Sequence, residues 1–233
     1  MKNFIIVGAG KGIGLQIAKI LSRENQVITI SRNATTELDQ LDTRFYPLDV
    51  GKENLESLND IPDTIHGLVY CPGSINLKPF HRLSIQDFNN DFQQNVLGAV
   101  AIIQKVLPNL KKANGASIVL FSTVAAKIGM PFHASIATSK AGIEGMAKSL
   151  AAELSPFKIR VNVIAPSLTD TPLAQGLLNT DEKKEASSKR HPLQRIGSAK
   201  EMGLLAAFLL NEDSGWITGQ VIGVDGGLGN LRV

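Results

Sequence analysis

Four glycines fall within seven residues at Gly8-Ala9-Gly10-Lys11-Gly12-Ile13-Gly14, directly after the apolar run Phe4-Ile5-Ile6-Val7. A short apolar run that ends in glycine reads as a buried strand feeding a sharp turn. Glycine has no Cβ, so such a turn can lie against something bulky. Leu15, Ala18, Ile20 and Leu21 follow at near-helical spacing, which predicts a helix over Leu15 to Arg23. Free N–H groups and the helix dipole then point at the turn and attract an anion. Gly8, Gly10, Gly12 and Gly14, with Lys11 and Ile13, therefore read as a cradle for a dinucleotide pyrophosphate.

The residues after the next apolar run say which dinucleotide. A carboxylate about 20 positions beyond the glycines would bond the adenosine ribose hydroxyls and select NAD. That place holds Ser31-Arg32, with no acid before Glu37. A guanidinium suits a 2′-phosphate through paired, charge-assisted bonds, and Lys11 adds a second cation nearby. The expected cofactor is NADP(H) rather than NAD(H).

These residues need strands and helices to carry them. Strand-like runs cover 26–31, 45–48, 65–71, 117–122, 159–165 and 219–224. Helical patterns cover 84–110, 133–154 and 201–210, with a weak one over 52–60. Ser84, with Asp87 three residues on, resembles a capping box. Strands alternating with helices predict an α/β fold, a single Rossmann-type doubly wound parallel sheet with helices on both faces. Ligands of such sheets lie at the C-terminal strand ends. Residues 167–197 read as irregular or short helices, a long connection expected to act as a lid over the site.

Composition bounds the rest. The 233 residues, 43% hydrophobic and 19% charged, suit one domain with one large core. The net charge of +3 is dispersed. The tract Asp181-Glu182-Lys183-Lys184-Glu185 mixes signs and reads as a solvated helix face, not a nucleic-acid patch. Cys71 is the sole cysteine, so no intrachain disulfide forms and a reducing compartment is the simpler setting. The first strand follows Met1-Lys2 with no room for a signal segment, and no apolar run reaches a membrane span. A cytoplasmic protein is expected. The four histidines lack metal-ligand spacing.

The glycine turn, Asp49-Val50, Asn95-Val96-Leu97-Gly98, Ser139-Lys140-Ala141-Gly142, Ile164-Ala165-Pro166, Asp170-Thr171-Pro172-Leu173, Ile217-Thr218-Gly219-Gln220 and Val224-Asp225-Gly226-Gly227 occur in this order. Together they resemble the short-chain dehydrogenase/reductase family over essentially the whole chain. The resemblance implies about seven strands and a homodimer or homotetramer built through two long helices. It implies adenine contact at Asp49 and Val50 and cofactor contacts at Cys71, Gly73, Pro166, Ser167 and Thr169. It also implies a water held by Asn95, a substrate-orienting hydroxyl at Thr123, with Ser122 beside it, and a ribose-binding Lys140.

One departure is chemical. The family places a tyrosine four residues before the lysine, as general acid and base with its pKa tuned by the cation. Here that residue is Ile136. Val7, Thr123 and Ser167 replace a usual Thr, Ser and Gly, and Tyr70-Cys71-Pro72-Gly73 replaces an Asn-rich turn. The other proton sources in reach are His133, three residues before Ile136, and Lys140 acting through water. Two functions follow. The first is an NADP(H)-dependent oxidoreductase acting on a small carbonyl or alcohol with a non-standard proton donor. The second is a non-catalytic NADP(H)-binding sensor or scaffold subunit. A dehydration or isomerisation in the same pocket is a third reading.

Overall fold

The computed structural model describes residues 1–51 and 55–232. Strand β1 (Asn3–Val7) runs into α1 (Gly12–Leu21), then β2 (Gln26–Ser31), a short α2 (Thr36–Asp39) and β3 (Thr43–Pro47). The chain then crosses to β4 (Gly67–Tyr70) and continues outward through β5 (Ser117–Phe121) and β6 (Arg160–Pro166). One seven-stranded sheet results, in the order β3-β2-β1-β4-β5-β6-β9, where β9 is Val221–Val224. Every adjacent pair is parallel. Strand order reverses between β1 and β4, and the glycine turn sits at that switch.

An all-parallel sheet needs cover on both faces, and alternation along β1 shows how it is met. Ile5 and Val7 join Ile102, Val106, Ile143 and Ala147 in one core. Phe4 and Ile6 join Leu15, Ile17, Met202 and Ala206 in the other. The covering helices are α4 (Gly98–Lys112) and α5 (Ala134–Leu154) on the first face, α1 and α7 (Ala199–Leu210) on the second.

Several boundaries differ from the sequence reading, each for a local reason. Helix α1 starts at Gly12, three residues before the expected Leu15: Gly12, with a φ of +61°, makes the turn into the helix, ahead of its first apolar contacts. Its N-cap, Lys11, makes no side-chain capping bond. Residues 52–54 of the helix expected over 52–60 lie outside the described residues, and Leu55–Asp60 is a 3-10 helix. The long helix expected from Ser84 is interrupted. Helix α3 (Ile85–Phe92) has the Ser84–Asp87 capping box, but a π-helical turn over Gln93–Leu97 separates it from α4. One extra residue in that turn re-aims Asn95, as such bulges do.

The stretch 167–197 is more ordered than its sequence suggested. Strand β7 (Thr169–Asp170) pairs with β8 (Gly197–Ser198), closing the base of the segment. Between them lie a 3-10 helix over Pro172–Leu177 and α6 (Asp181–Lys189). Helix α7 begins two residues before the expected Glu201, because Ser198 and Glu201 form a capping box. Past α7, Trp216 stands 100% exposed just ahead of the open sheet edge at β9. Among the described residues, no helix is long and apolar enough to cross a membrane.

Candidate cofactor cleft and active site

The glycine turn is built for close approach. Gly8 and Gly12 take φ values of +81° and +61°, where side chains are strained. A Cβ on Gly14 would stand 2.3 Å from the Gly8 carbonyl oxygen, so the helix could not pack on the strand end. A Cβ on Gly10 would lie 3.1 Å from Ser31 Oγ. Thr35 Oγ1 donates to the Gly10 carbonyl at 2.9 Å, tying the loop after β2 to the glycine turn, and Ser31 Oγ donates within that loop to the Asn33 carbonyl at 2.8 Å. Lys11 and Arg32 are exposed, and neither joins an ion pair among the described residues. Asp49 Oδ1 accepts the Gly51 N–H at 3.3 Å, and Val50 packs on the core. This end of the cleft offers free backbone donors, two free cations and one carboxylate.

The other end is a buried polar network beneath Ile136. Lys140 is only 7% exposed, and its Nζ donates to the Phe121 carbonyl at 2.9 Å. Burial pulls its ammonium down to about 8, against the attraction of the Asp91 carboxylate. Asn95 is fully buried. Its Nδ2 donates to the Asp91 carbonyl at 2.8 Å and to Ser74 Oγ at 3.1 Å, while Oδ1 has no partner among the described residues. Buried orphan acceptors are rare and call for a donor from outside the chain. A Cβ added to Gly73 would stand 3.7 Å from both Asn95 Oδ1 and Lys140 Nζ, so the two atoms face one small space. The buried Asp91 carboxylate is satisfied by Ser74 Oγ and Ser135 Oγ, each at 2.5 Å. The Cys71 thiol stays neutral, since burial raises it to about 12.

Hydroxyls and imidazoles around this network have distinct tasks. Thr123 Oγ1 accepts the Ala125 N–H at 3.3 Å, which leaves its own proton to give. Ser122 Oγ donates to Glu144 at 2.6 Å beneath α5 and is committed there. His133 sits half-buried at the N-cap of α5, with Nδ1 2.6 Å from the Pro131 carbonyl. Tyr70 directs its phenol to the Gln94 carbonyl at 2.6 Å and Tyr46 to the Asp60 carbonyl at 2.5 Å, so neither ring replaces the missing tyrosine. Thr169, buried, donates to the Ser167 carbonyl at 3.0 Å. Ser167 lies 2.8 Å from Nε2 of His191, a buried residue that the sequence did not single out.

A cavity of about 520 Å³ joins these groups. Ile13, Cys71, Gly73, Ser122, Thr123, His133, Lys140, Pro166, Ser167 and Thr169 all line it, with Ile136 one helical turn before Lys140. Asn95 lies behind Gly73, whereas Ser31, Arg32, Asp49 and Val50 belong to the far, outer end of the cleft. The remaining wall is largely apolar and includes Ile75, Leu77, Met130, Leu173 and Leu177. Among the described residues, no cluster of side chains could hold a metal ion.

Comparison with known proteins agrees with this geometry. The family model described as enoyl-(acyl carrier protein) reductase matches residues 8–229. The chain belongs to the short-chain dehydrogenase/reductase family of oxidoreductases. It is 30% identical to the 3-oxoacyl-[acyl-carrier-protein] reductase FabG of Thermotoga maritima, over 97% of each chain. It is 31% identical to a tropinone reductase homologue of Arabidopsis thaliana, over 97% of this chain and 92% of that one. Among solved structures, a short chain dehydrogenase family protein of Francisella tularensis superposes with a TM-score of 0.89 at 28% identity, over 98% of each chain. The structure of ElxO with NADP bound gives 0.88 at 28% identity, over 97% of this chain and 98% of that one.

Proposed function

We propose that this protein is an NADP(H)-dependent oxidoreductase that interconverts a small carbonyl compound and its alcohol, with Lys140 as the source of the proton. The observation that carries the reading is the shared space of Lys140 Nζ and Asn95 Oδ1 beside Gly73. The cleft fits the cofactor. Its glycines leave room for a pyrophosphate, and Lys11 and Arg32 stand free for a 2′-phosphate. The NADP-bound structural relative supports the same choice.

A bound nicotinamide supplies or accepts the hydride. The Thr123 hydroxyl donates to the substrate oxygen and orients it. Lys140 gives its proton to that oxygen through a water that donates in turn to Asn95 Oδ1, so carbonyl, hydride and proton sum to the alcohol. Ile136 contributes a dry wall and no proton. Without a tyrosine acid the rate sits roughly 10²–10⁴ below that of an otherwise equal site. Segment 167–197 serves as the lid, in a single-domain chain acting as a cytoplasmic homo-oligomer.

The test is NADPH binding by fluorescence, followed by NADPH oxidation against ketones, aldehydes and quinones. Slow turnover that Lys140→Met abolishes is expected. Tight NADPH binding with no turnover of any carbonyl would refute the reading. That result would favour a cofactor-binding sensor or scaffold, the second reading that Ile136 motivates.

A further inference from the structure

The tract 181–185 mixes signs in sequence, but the fold sorts them. Lys183, Ala186, Ser187 and Arg190 recur at helical spacing along α6 and its C-cap, and all four line the large cavity. Asp181, Glu182 and Glu185 do not, and Glu185 pairs instead with Lys189 at 2.6 Å on the exposed side. Among the described residues no carboxylate lines the cavity, whose basic side chains are His133, Lys140, Lys183 and Arg190. Among the described residues Lys183 Nζ has only the neutral Asn179 Oδ1, at 2.8 Å. Arg190 joins no ion pair among the described residues. Two cations with no counter-charge therefore overlook an apolar cavity whose floor holds a third.

We infer that the substrate is an amphipathic anion: a carbonyl on an apolar body, with a carboxylate or phosphate remote from the carbonyl held by Lys183 and Arg190. This rests on the cavity being the substrate site of the reading above. The apolar walls at Ile75, Leu77 and Leu177 take the body. The carbonyl lies toward Thr123 and Lys140. The cations of α6 attract the remaining charge, and opposite-sign potential of this kind selects and steers ligands. The cofactor's own 2′-phosphate has separate partners in Lys11 and Arg32.

The experiment uses the full chain loaded with NADPH. Medium-chain oxo acids, their methyl esters and an oxoacyl-coenzyme A are compared by NADPH oxidation and by fluorescence titration into the protein–NADPH complex. The acid or the coenzyme A ester should surpass the methyl ester roughly tenfold in kcat/KM or in affinity. That advantage should shrink in molar salt and vanish in a Lys183→Ala, Arg190→Ala double variant. The acid and coenzyme A arms separate carboxylate from phosphate recognition. Equal or undetectable binding of acid and ester overturns the inference. So does a loss of NADPH affinity in the double variant, which would assign the cations to the cofactor. A preference for the acid in titration, with no turnover of any carbonyl, sinks the oxidoreductase reading and supports this one.

Discussion

Ser167 Oγ and His191 Nε2 lie 2.8 Å apart, and the contact ties the strand end beside the cavity to the residue just past α6. The opposite imidazole nitrogen, Nδ1, lies 2.8 Å from the Ser187 carbonyl, which only accepts. Nδ1 therefore carries a proton, and in the neutral imidazole Nε2 accepts from Ser167. Removing the hydroxyl leaves a buried nitrogen unpaired, at a cost of roughly 1–3 kcal/mol. Ser167→Gly should lower Tm by several degrees. Hydrogen exchange should quicken at residues 180–191, while the amides of β1 and β5 keep their protection. Unchanged exchange in α6 would show that the contact holds nothing in place.

Arg32 and Lys11 should govern the choice between the two nicotinamide cofactors. Each stands exposed at the outer end of the cleft, without an acidic partner among the described residues. Arg32→Ala should weaken NADPH roughly tenfold or more and leave NADH nearly unchanged. Lys11→Ala should act in the same direction. Titration of both cofactors into both variants checks this, and a parallel loss of NADH and NADPH would contradict it.

Lys140 links stability and activity to pH with opposite signs. Its ordinary value is 10.5, and burial holds it at about 8 in the fold. Between about pH 8 and 10.5 the unfolded chain binds a proton that the folded chain does not. Stability of the cofactor-free protein therefore rises with pH across that window. Lys140→Met should flatten the rise, as read by urea midpoints at several pH values. With Lys140 as the proposed proton source, the rate of carbonyl reduction should instead fall above about pH 8. A rate that climbs through that window would exclude Lys140 as the donor.

Ile136→Tyr should be a gain-of-function change. The residue is 6% exposed, faces the cavity and precedes Lys140 by one turn of α5. A phenol there has a cation to tune it and a threonine hydroxyl to share the substrate oxygen. NADPH oxidation should rise roughly 10²–10⁴-fold. A folded, NADPH-binding variant without that gain would place the rate limit elsewhere.

Much of this was legible in the chain. β-branched and aliphatic runs between glycines and helical patterns fix a parallel sheet, because both faces of each strand must be apolar. The cradle was legible too, since four glycines at short spacing have few other uses after a buried strand. What escaped is non-local or too short to show a period. The π-helical turn at Gln93–Leu97 leaves the apolar pattern of 84–110 nearly unbroken. Two-residue strands β7 and β8 carry no alternation at all. Ser198 and Glu201 spell a capping box at the start of α7, a signal carried by two residues three apart. Asn95 and Lys140 come from separate helices, so their shared space follows from packing and not from spacing. Ser167 and His191, 24 residues apart, meet only because α6 folds back.

Trp216 has an optical consequence. It is the only tryptophan of the chain, and its indole is already in water. Unfolding changes its solvent contact little, so its emission is nearly blind to the loss of the sheet behind it. Burial against another surface is what would move that emission to shorter wavelength. Intrinsic tryptophan fluorescence of this protein is therefore a gauge of what covers Trp216, including a second copy at rising concentration, and a poor gauge of whether the chain is folded.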